Sequence, residues 1–217
     1  MPENSPPPLG RNDVEIISRE AAYQGYFRID RYRLKHRLFE GGWSGEMERE
    51  VFERGHVAGV LPYDPVLDRL VVIEQFRIGA LAAMDSPWPG NDFSPWLLEF
   101  VAGVIDEGET PEEVARRETI EETGCEIQDM IPVYRYLSTA GSCSEYVFLY
   151  CGRVDAANAG GIYGLTEEHE NIRVLSVPSE KAFQWLDEGR IVNAKALIAL
   201  QWFRMNREKL RRLWNPS

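Results

Sequence analysis

The chain has 217 residues, of which 44% are hydrophobic and 27% charged, the balance of a soluble globular protein with one full-sized domain and an appendage. Its formal net charge of -11 argues against a nucleic-acid backbone or an anionic membrane as main partner, and no uncharged apolar run approaches the length that spans a bilayer. Cys125, Cys143 and Cys151 form no CxxC or Cys/His set suited to zinc, so they read as free thiols of a reducing cytoplasm.

The opening MPENSPPPLG has no basic region and no apolar core, hence neither a signal peptide nor an anchor. Its prolines predict a disordered lead-in over residues 1–12. From 13 to 55 the pattern is a β-meander: Tyr32, Leu34, His36 and Leu38 alternate with Arg31, Arg33, Lys35 and Arg37, and Gly41-Gly42 turns the chain into a returning segment at 44–52. So small a sheet is insecure alone and is expected to pack on the main domain or on a second subunit.

The main domain, 56–217, begins with apolar strands at 56–62 and 70–77 around a turn at Asp64-Pro65. The next stretch, GALAAMDSPWPGNDFSP, reads as a surface loop whose Trp88 and Phe93 cover a cleft or an interface. A strand over 96–105 follows, then strands at 127–137 and 145–154 joined by the small-residue turn STAGSCS. After the Gly-rich AANAGGIYGLTEEHEN comes a strand at 172–177; Pro178 and Ser179 open a short helix, and Asn193 caps a longer one ending in a basic turn near 209–212.

Between the strands at 96–105 and 127–137 lies GVIDEGETPEEVARRETIEETGC. Thr110 is placed to cap a helix, with Pro111 in its first position, Glu113 completing a capping box and Gly124 stopping it. At 100° per residue, Pro111, Val114, Ala115, Glu118, Glu121 and Glu122 share one face, which opens apolar and ends in three carboxylates. Like charges so spaced repel. A hard cation such as Mg2+ removes that repulsion and prefers such oxygen donors. An isolated acidic run is usually a solvated surface, but this one belongs to a longer pattern of Gly103, Glu109, Arg117-Glu118, Glu121-Glu122 and Gly124. With each residue at roughly 7% frequency, chance produces such a match on the order of one time in a million.

The pattern resembles the Nudix box, the signature of the Nudix hydrolases. Thr119 and Cys125 stand where the family prefers aliphatic residues, and neither is a metal-ligand position. The resemblance implies an α/β/α sandwich with mixed sheets and a loop–helix–loop that holds divalent metal against a diphosphate. Glu118 and Glu122 would be the main ligands, joined by the backbone carbonyl of Ala102, while Glu121 would be a ligand or would position water. Arg117 and Glu109 would brace the loop on the helix. The expected metal is Mg2+, with Mn2+ able to substitute, and it would offset the charge conflict between an acidic protein and an anionic substrate.

Length, the meander and the acidic loop before the last strand resemble the branch of the family that hydrolyses ADP-ribose to AMP and ribose 5-phosphate. By that resemblance Glu168, among Glu167, Glu168 and Glu170 on one loop, is the general base, with Glu170 as an extra metal ligand. Tyr26, Arg49 and Arg77 match substrate-recognition positions, where guanidinium forks pair with phosphate and a tyrosine face stacks on adenine. The resemblance further implies a homodimer, in which the meander can be exchanged between subunits; the expected location is the cytoplasm. In such enzymes the turn after the box often carries Pro-Gly-Gly, and STAGS lacks that proline. His36, His56 and His169 are scattered and read as packing or surface residues. Two alternatives stand: the same chemistry on another nucleoside diphosphate sugar such as GDP-mannose, and a non-catalytic ligand sensor. A sensor usually loses box carboxylates or gains a basic module, and neither is visible here.

Overall fold

A computed structural model describes residues 8–90 and 92–215, with the side chain of Glu168 outside the described part. The described chain divides into two compact units, one running through Gly55 and including Leu137–Glu145, the other comprising His56–Tyr136 and the chain from Tyr146 onward.

In the first unit β1 (Val14–Gln24), β2 (Arg28–His36) and β3 (Met47–Glu53) form an antiparallel sheet in chain order. Its stability does not come from a large apolar interior. Asp30, almost fully buried, is held by Arg19 Nε at 2.7 Å and Arg28 Nε at 2.9 Å, so the carboxylate is compensated by two guanidinium groups. Ring contacts of Phe27 with Tyr26 and Phe52 add an aromatic corner. The STAGSCS turn belongs to this unit: the Phe52 N–H donates to the Ser142 carbonyl at 2.8 Å. Residues 1–7 of the expected lead-in lie outside the described residues. Arg11–Asp13, by contrast, form a 3-10 turn closed by the Gly10 N–H on the Asp13 carboxylate at 2.9 Å, so expected disorder to residue 12 runs too far.

The second unit is built on β4 (Val57–Asp64), β5 (Arg69–Phe76), β6 (Trp96–Glu99), β7 (Val101–Val104), β8 (Asp129–Leu137), β9 (Tyr146–Arg153), β10 (Gly160–Tyr163) and β11 (Ile172–Pro178). These make one eight-stranded sheet ordered β10-β11-β5-β4-β9-β8, with β6 paired to β5 and β7 to β4. The β4–β9 pair is parallel, whereas β4 and β5 pair antiparallel with each other and with β7, β6 and β11, a mixed sheet as expected. Four helices, α1 (Ile78–Ala83), α2 (Pro111–Thr123), α3 (Ser179–Asp187) and α4 (Ala194–Trp214), complete the unit.

Strand alternation divides the core into two layers. Ala58, Val60, Val71 and Ile73 face Val114 and Ala115 of α2, whereas Leu61, Tyr63, Leu70 and Val72 face Leu200, Phe203 and Trp214 of α4. The result is the α/β/α sandwich. All eight residues of β4 are buried, as befits a central strand covered on both faces.

The structure departs from the sequence expectation in three places. The strand expected over 96–105 breaks at Phe100, because its first half pairs with β5 and its second with β4. The expected surface loop begins with α1, whose Leu and Ala residues favour a helix although no side chain caps it. The Gly-rich stretch contains β10, antiparallel to β11. Trp88 is exposed.

Candidate active site

The box helix α2 forms as local chemistry dictates. The Thr110 hydroxyl accepts from the Glu113 N–H at 3.3 Å, Glu113 accepts from the Thr110 N–H at 2.8 Å, Pro111 is the first helical residue, and Gly124 ends the helix in the left-handed region at φ 70°. The apolar end of its face, Val114 and Ala115, seats it on the sheet. Thr119 is fully buried, and its hydroxyl donates to the Ala115 carbonyl at 2.7 Å. Its polar atom is thereby satisfied inside the helix.

The carboxylate end of that face lies over the open edge of β7. Glu122, 3% exposed, accepts the Ala102 N–H at 3.2 Å. An N–H and C=O of one strand residue point to the same side, so the Ala102 carbonyl faces the same edge. Glu118 lies over Gly103: a Cβ there would fall 1.9 Å from Glu118 Oε1, so the glycine is what admits this carboxylate to the edge. Burial, joined by repulsion from Glu118 and Glu170, pushes the Glu122 carboxyl up to about 8. Burial also raises Glu118, against the pull of Arg117.

Arg117 organises the loop before the helix. Its Nε and Nη2 donate to the two oxygens of Glu109 at 3.1 and 3.2 Å, and Nη1 donates to Glu118 at 2.7 Å and Glu121 at 3.1 Å. Glu109 in turn accepts the Asp106 N–H at 3.2 Å. The hydrogen bond from Arg117 holds Glu109 below the usual carboxylate range, and the one to Glu109 raises Arg117. This is the brace expected from the sequence.

Arg77, at the end of β5, forms a fork on Glu99 of β6, with distances of 3.0 and 2.9 Å. Burial acts to lower Arg77, but its hydrogen bonds and charge contact with Glu99, helped by Glu122 and Glu170, hold it above its usual value. Arg77, Glu118, Glu122 and Glu170 are therefore one electrostatic group. Glu99, 1% exposed, went unrecognised in the sequence. The available signal is a carboxylate inside the apolar run WLLEF, which requires a buried cation as partner.

Glu168 ends the 3-10 turn Thr166–Glu168; its side chain lies outside the described part. Glu170 closes the same loop, accepting the Leu165 N–H on Oε2 at 3.1 Å. Tyr26, 95% exposed, and Arg49, exposed with Nη1 donating to the Glu48 carbonyl at 2.7 Å, belong to the three-stranded unit. The three cysteines are unpaired.

Among the described residues no three His, Cys, Asp or Glu side chains converge as a ready metal cage. Each box carboxylate instead already has a donor: Arg117 Nη1, shared by Glu118 and Glu121, and the Ala102 N–H for Glu122. The donor set nevertheless fits a hard divalent cation. Two half-buried or buried carboxylates and a backbone carbonyl meet at one strand edge, the glycine leaves room, and their mutual repulsion is what a cation relieves.

Comparison with known proteins identifies relatives of this chain. The family description NUDIX domain matches residues 53–200. A relative from Escherichia coli (strain K12), named ADP-ribose pyrophosphatase, is 49% identical over 213 residues, covering 98% of each chain. One of the same name from Haemophilus influenzae is 41% identical, covering 96% of this chain and 94% of the relative. A GDP-mannose pyrophosphatase from Enterobacter sp. (strain 638) is 32% identical over 89% of this chain and 96% of its own length. A solved structure titled as an ADP compounds hydrolase superposes with a TM-score of 0.67 at 19% identity, over 94% of this chain and all of that one, a likeness of fold. With its box helix, its sandwich and this family match, the chain belongs to the Nudix family.

Proposed function

We infer that this chain is a Nudix hydrolase that cleaves the diphosphate of ADP-ribose to AMP and ribose 5-phosphate. The observation that carries the reading is the 49% identity, over 98% of both chains, with a relative named ADP-ribose pyrophosphatase. Glu118, Glu122 and the Ala102 carbonyl would hold a divalent cation, Mg2+ with Mn2+ able to substitute, with Glu170 adding charge and Glu121 serving as ligand or water-positioning group. When bound, the cation polarises the diphosphate and offsets its charge. Arg117 keeps the loop and helix carboxylates in place through its fork on Glu109. Glu168 takes a proton from the attacking water. Arg77 meets phosphate, while Tyr26 and Arg49 recognise the nucleotide across a homodimer formed through the N-terminal sheet.

The proposed site of action is the cytoplasm. No helix among the described residues is long and apolar enough to cross a membrane. Turnover of ADP-ribose and of GDP-mannose by the purified protein with Mg2+ tests the reading. A kcat/KM for ADP-ribose at least about tenfold above that for GDP-mannose is expected, a gap of about 1.4 kcal/mol in transition-state binding. The reverse preference overturns the substrate assignment and leaves the box chemistry standing.

A further inference from the structure

The loop before β11 is tied to itself by one side chain. Glu170 accepts the Leu165 N–H on Oε2 at 3.1 Å, its own N–H donates to the Leu165 carbonyl at 3.2 Å, and the His169 N–H donates to the Thr166 carbonyl at 3.1 Å. The turn reverses through His169, which sits in the left-handed region at φ 57°. Just before it, Gly164 has φ +103°, and a Cβ there would lie 2.6 Å from the Glu170 Cβ and 3.3 Å from its backbone carbon. Neither group has flexible length to yield, so Gly164 is the residue that lets Glu170 close over the turn. The same carboxylate lies within Coulombic reach of Glu118, Glu122 and Arg77, which puts the knot of the loop beside the box.

We propose that Glu170 is a positioning residue: its carboxylate clasps the Leu165 N–H and so holds residues 166–168, which carry the general base, in register with the carboxylates of the box helix, and Gly164 is the permissive partner of that clasp. This rests on the reading of Glu168 as the base, and it is distinct from a role for Glu170 as a charge alone. An amide oxygen can accept the Leu165 N–H as a carboxylate does, whereas a methyl group cannot. A charge-only role predicts that Glu170→Gln and Glu170→Ala fail alike, while a clasp predicts that glutamine rescues.

The test is amide hydrogen exchange by NMR at Leu165, His169 and Glu170 in the metal-free protein, alongside kcat and KM for ADP-ribose at saturating Mg2+. In Glu170→Ala the three amides should exchange about tenfold faster or more, the loss expected for a hydrogen bond to a charged group, and kcat should fall roughly 10-fold to 100-fold with KM changed little. Glu170→Gln should return the exchange rates to within about threefold of the parent, and its kcat should lie between those of Glu170→Ala and the parent, because the clasp is restored while the charge beside the cation site is not. Gly164→Ala should reproduce the fast exchange with the carboxylate still present, and it serves as the second variant if Glu170→Ala folds poorly. Unchanged exchange in both Glu170→Ala and Gly164→Ala, or glutamine and alanine variants equally impaired, overturns the clasp. The exchange readout decides this whether or not ADP-ribose is the substrate, so failure of the functional reading shows separately as absent turnover in the parent.

Discussion

Glu122→Gln tests the metal site through stability as well as rate. In the metal-free protein burial raises the Glu122 carboxyl from an ordinary 4.5 to about 8, which corresponds to roughly 4–5 kcal/mol between its protonated and ionised forms. Water penetration reduces the penalty, and about 2–3 kcal/mol is a reasonable working value. Because the folded-state value is the raised one, this carboxyl's contribution is fully present below 4.5 and is lost as pH rises through about 8. A glutamine is neutral throughout, and its oxygen still accepts the Ala102 N–H. In EDTA at pH 9 the variant should therefore melt about 5–10 °C above the parent, while at pH 4 the two should nearly coincide. With Mg2+ the order reverses in function: kcat falls roughly 100-fold or more, and the rise in Tm that Mg2+ gives the parent disappears. Thermal unfolding by circular dichroism at both pH values, with and without Mg2+, measures all of this. A variant that is less stable than the parent at pH 9, or that keeps its Mg2+-dependent rise in Tm, would refute the reasoning.

Glu168→Gln should lower kcat roughly 10²-fold to 10⁴-fold with little change in KM, and should flatten the acid limb of log kcat against pH; a retained acid limb with restored rates at high Mg2+ would move the base elsewhere on the loop. Gly103→Ala introduces a Cβ where Glu118 now lies, 1.9 Å from its Oε1. The flexible carboxylate moves rather than the backbone, so Mg2+ affinity measured by calorimetry should drop about tenfold or more while Tm shifts little, and unchanged affinity would exclude Glu118 as a ligand. Deleting residues before His56 should give a protein that aggregates or loses nucleotide affinity; a soluble, fully active monomer would dismiss the N-terminal sheet as the dimer contact.

What could be read in the sequence was mostly what short-range chemistry decides. Thr110, Pro111, Glu113 and Gly124 define the box helix within one short stretch, each through its own local preference, and they stand where expected. The Arg117–Glu109 brace was likewise legible, because the family pattern carries both residues. The helix α1 was missed, since six residues without a capping side chain give too little periodicity to separate a helix from a loop. The strand β10 was hidden by its glycine pair, which reads as turn. Glu99 escaped because its partner Arg77 is distant in the chain and meets it only through β5–β6 pairing. The Glu170 clasp could not be seen either, as its donor is a backbone N–H that no residue type advertises.

The position of β4 also bears on how the protein comes to be made. Antiparallel partners β5 and β7 are supplied by the chain that follows closely, but the parallel partner is β9, with Val57 opposite Val147 and Tyr63 opposite Arg153. The whole box lies inside that long closure, so α2 has caps that favour its early formation, yet the sheet beneath its carboxylates is completed late. During synthesis β4, buried along its full length in the finished fold, leaves one edge unpaired until the ribosome has released Tyr146–Arg153. An unpaired apolar edge invites association between nascent chains. The expected consequence is that yield at high expression rates depends on the interval between the emergence of β4 and that of β9, so slowing initiation, which spaces neighbouring chains on a message, should raise it.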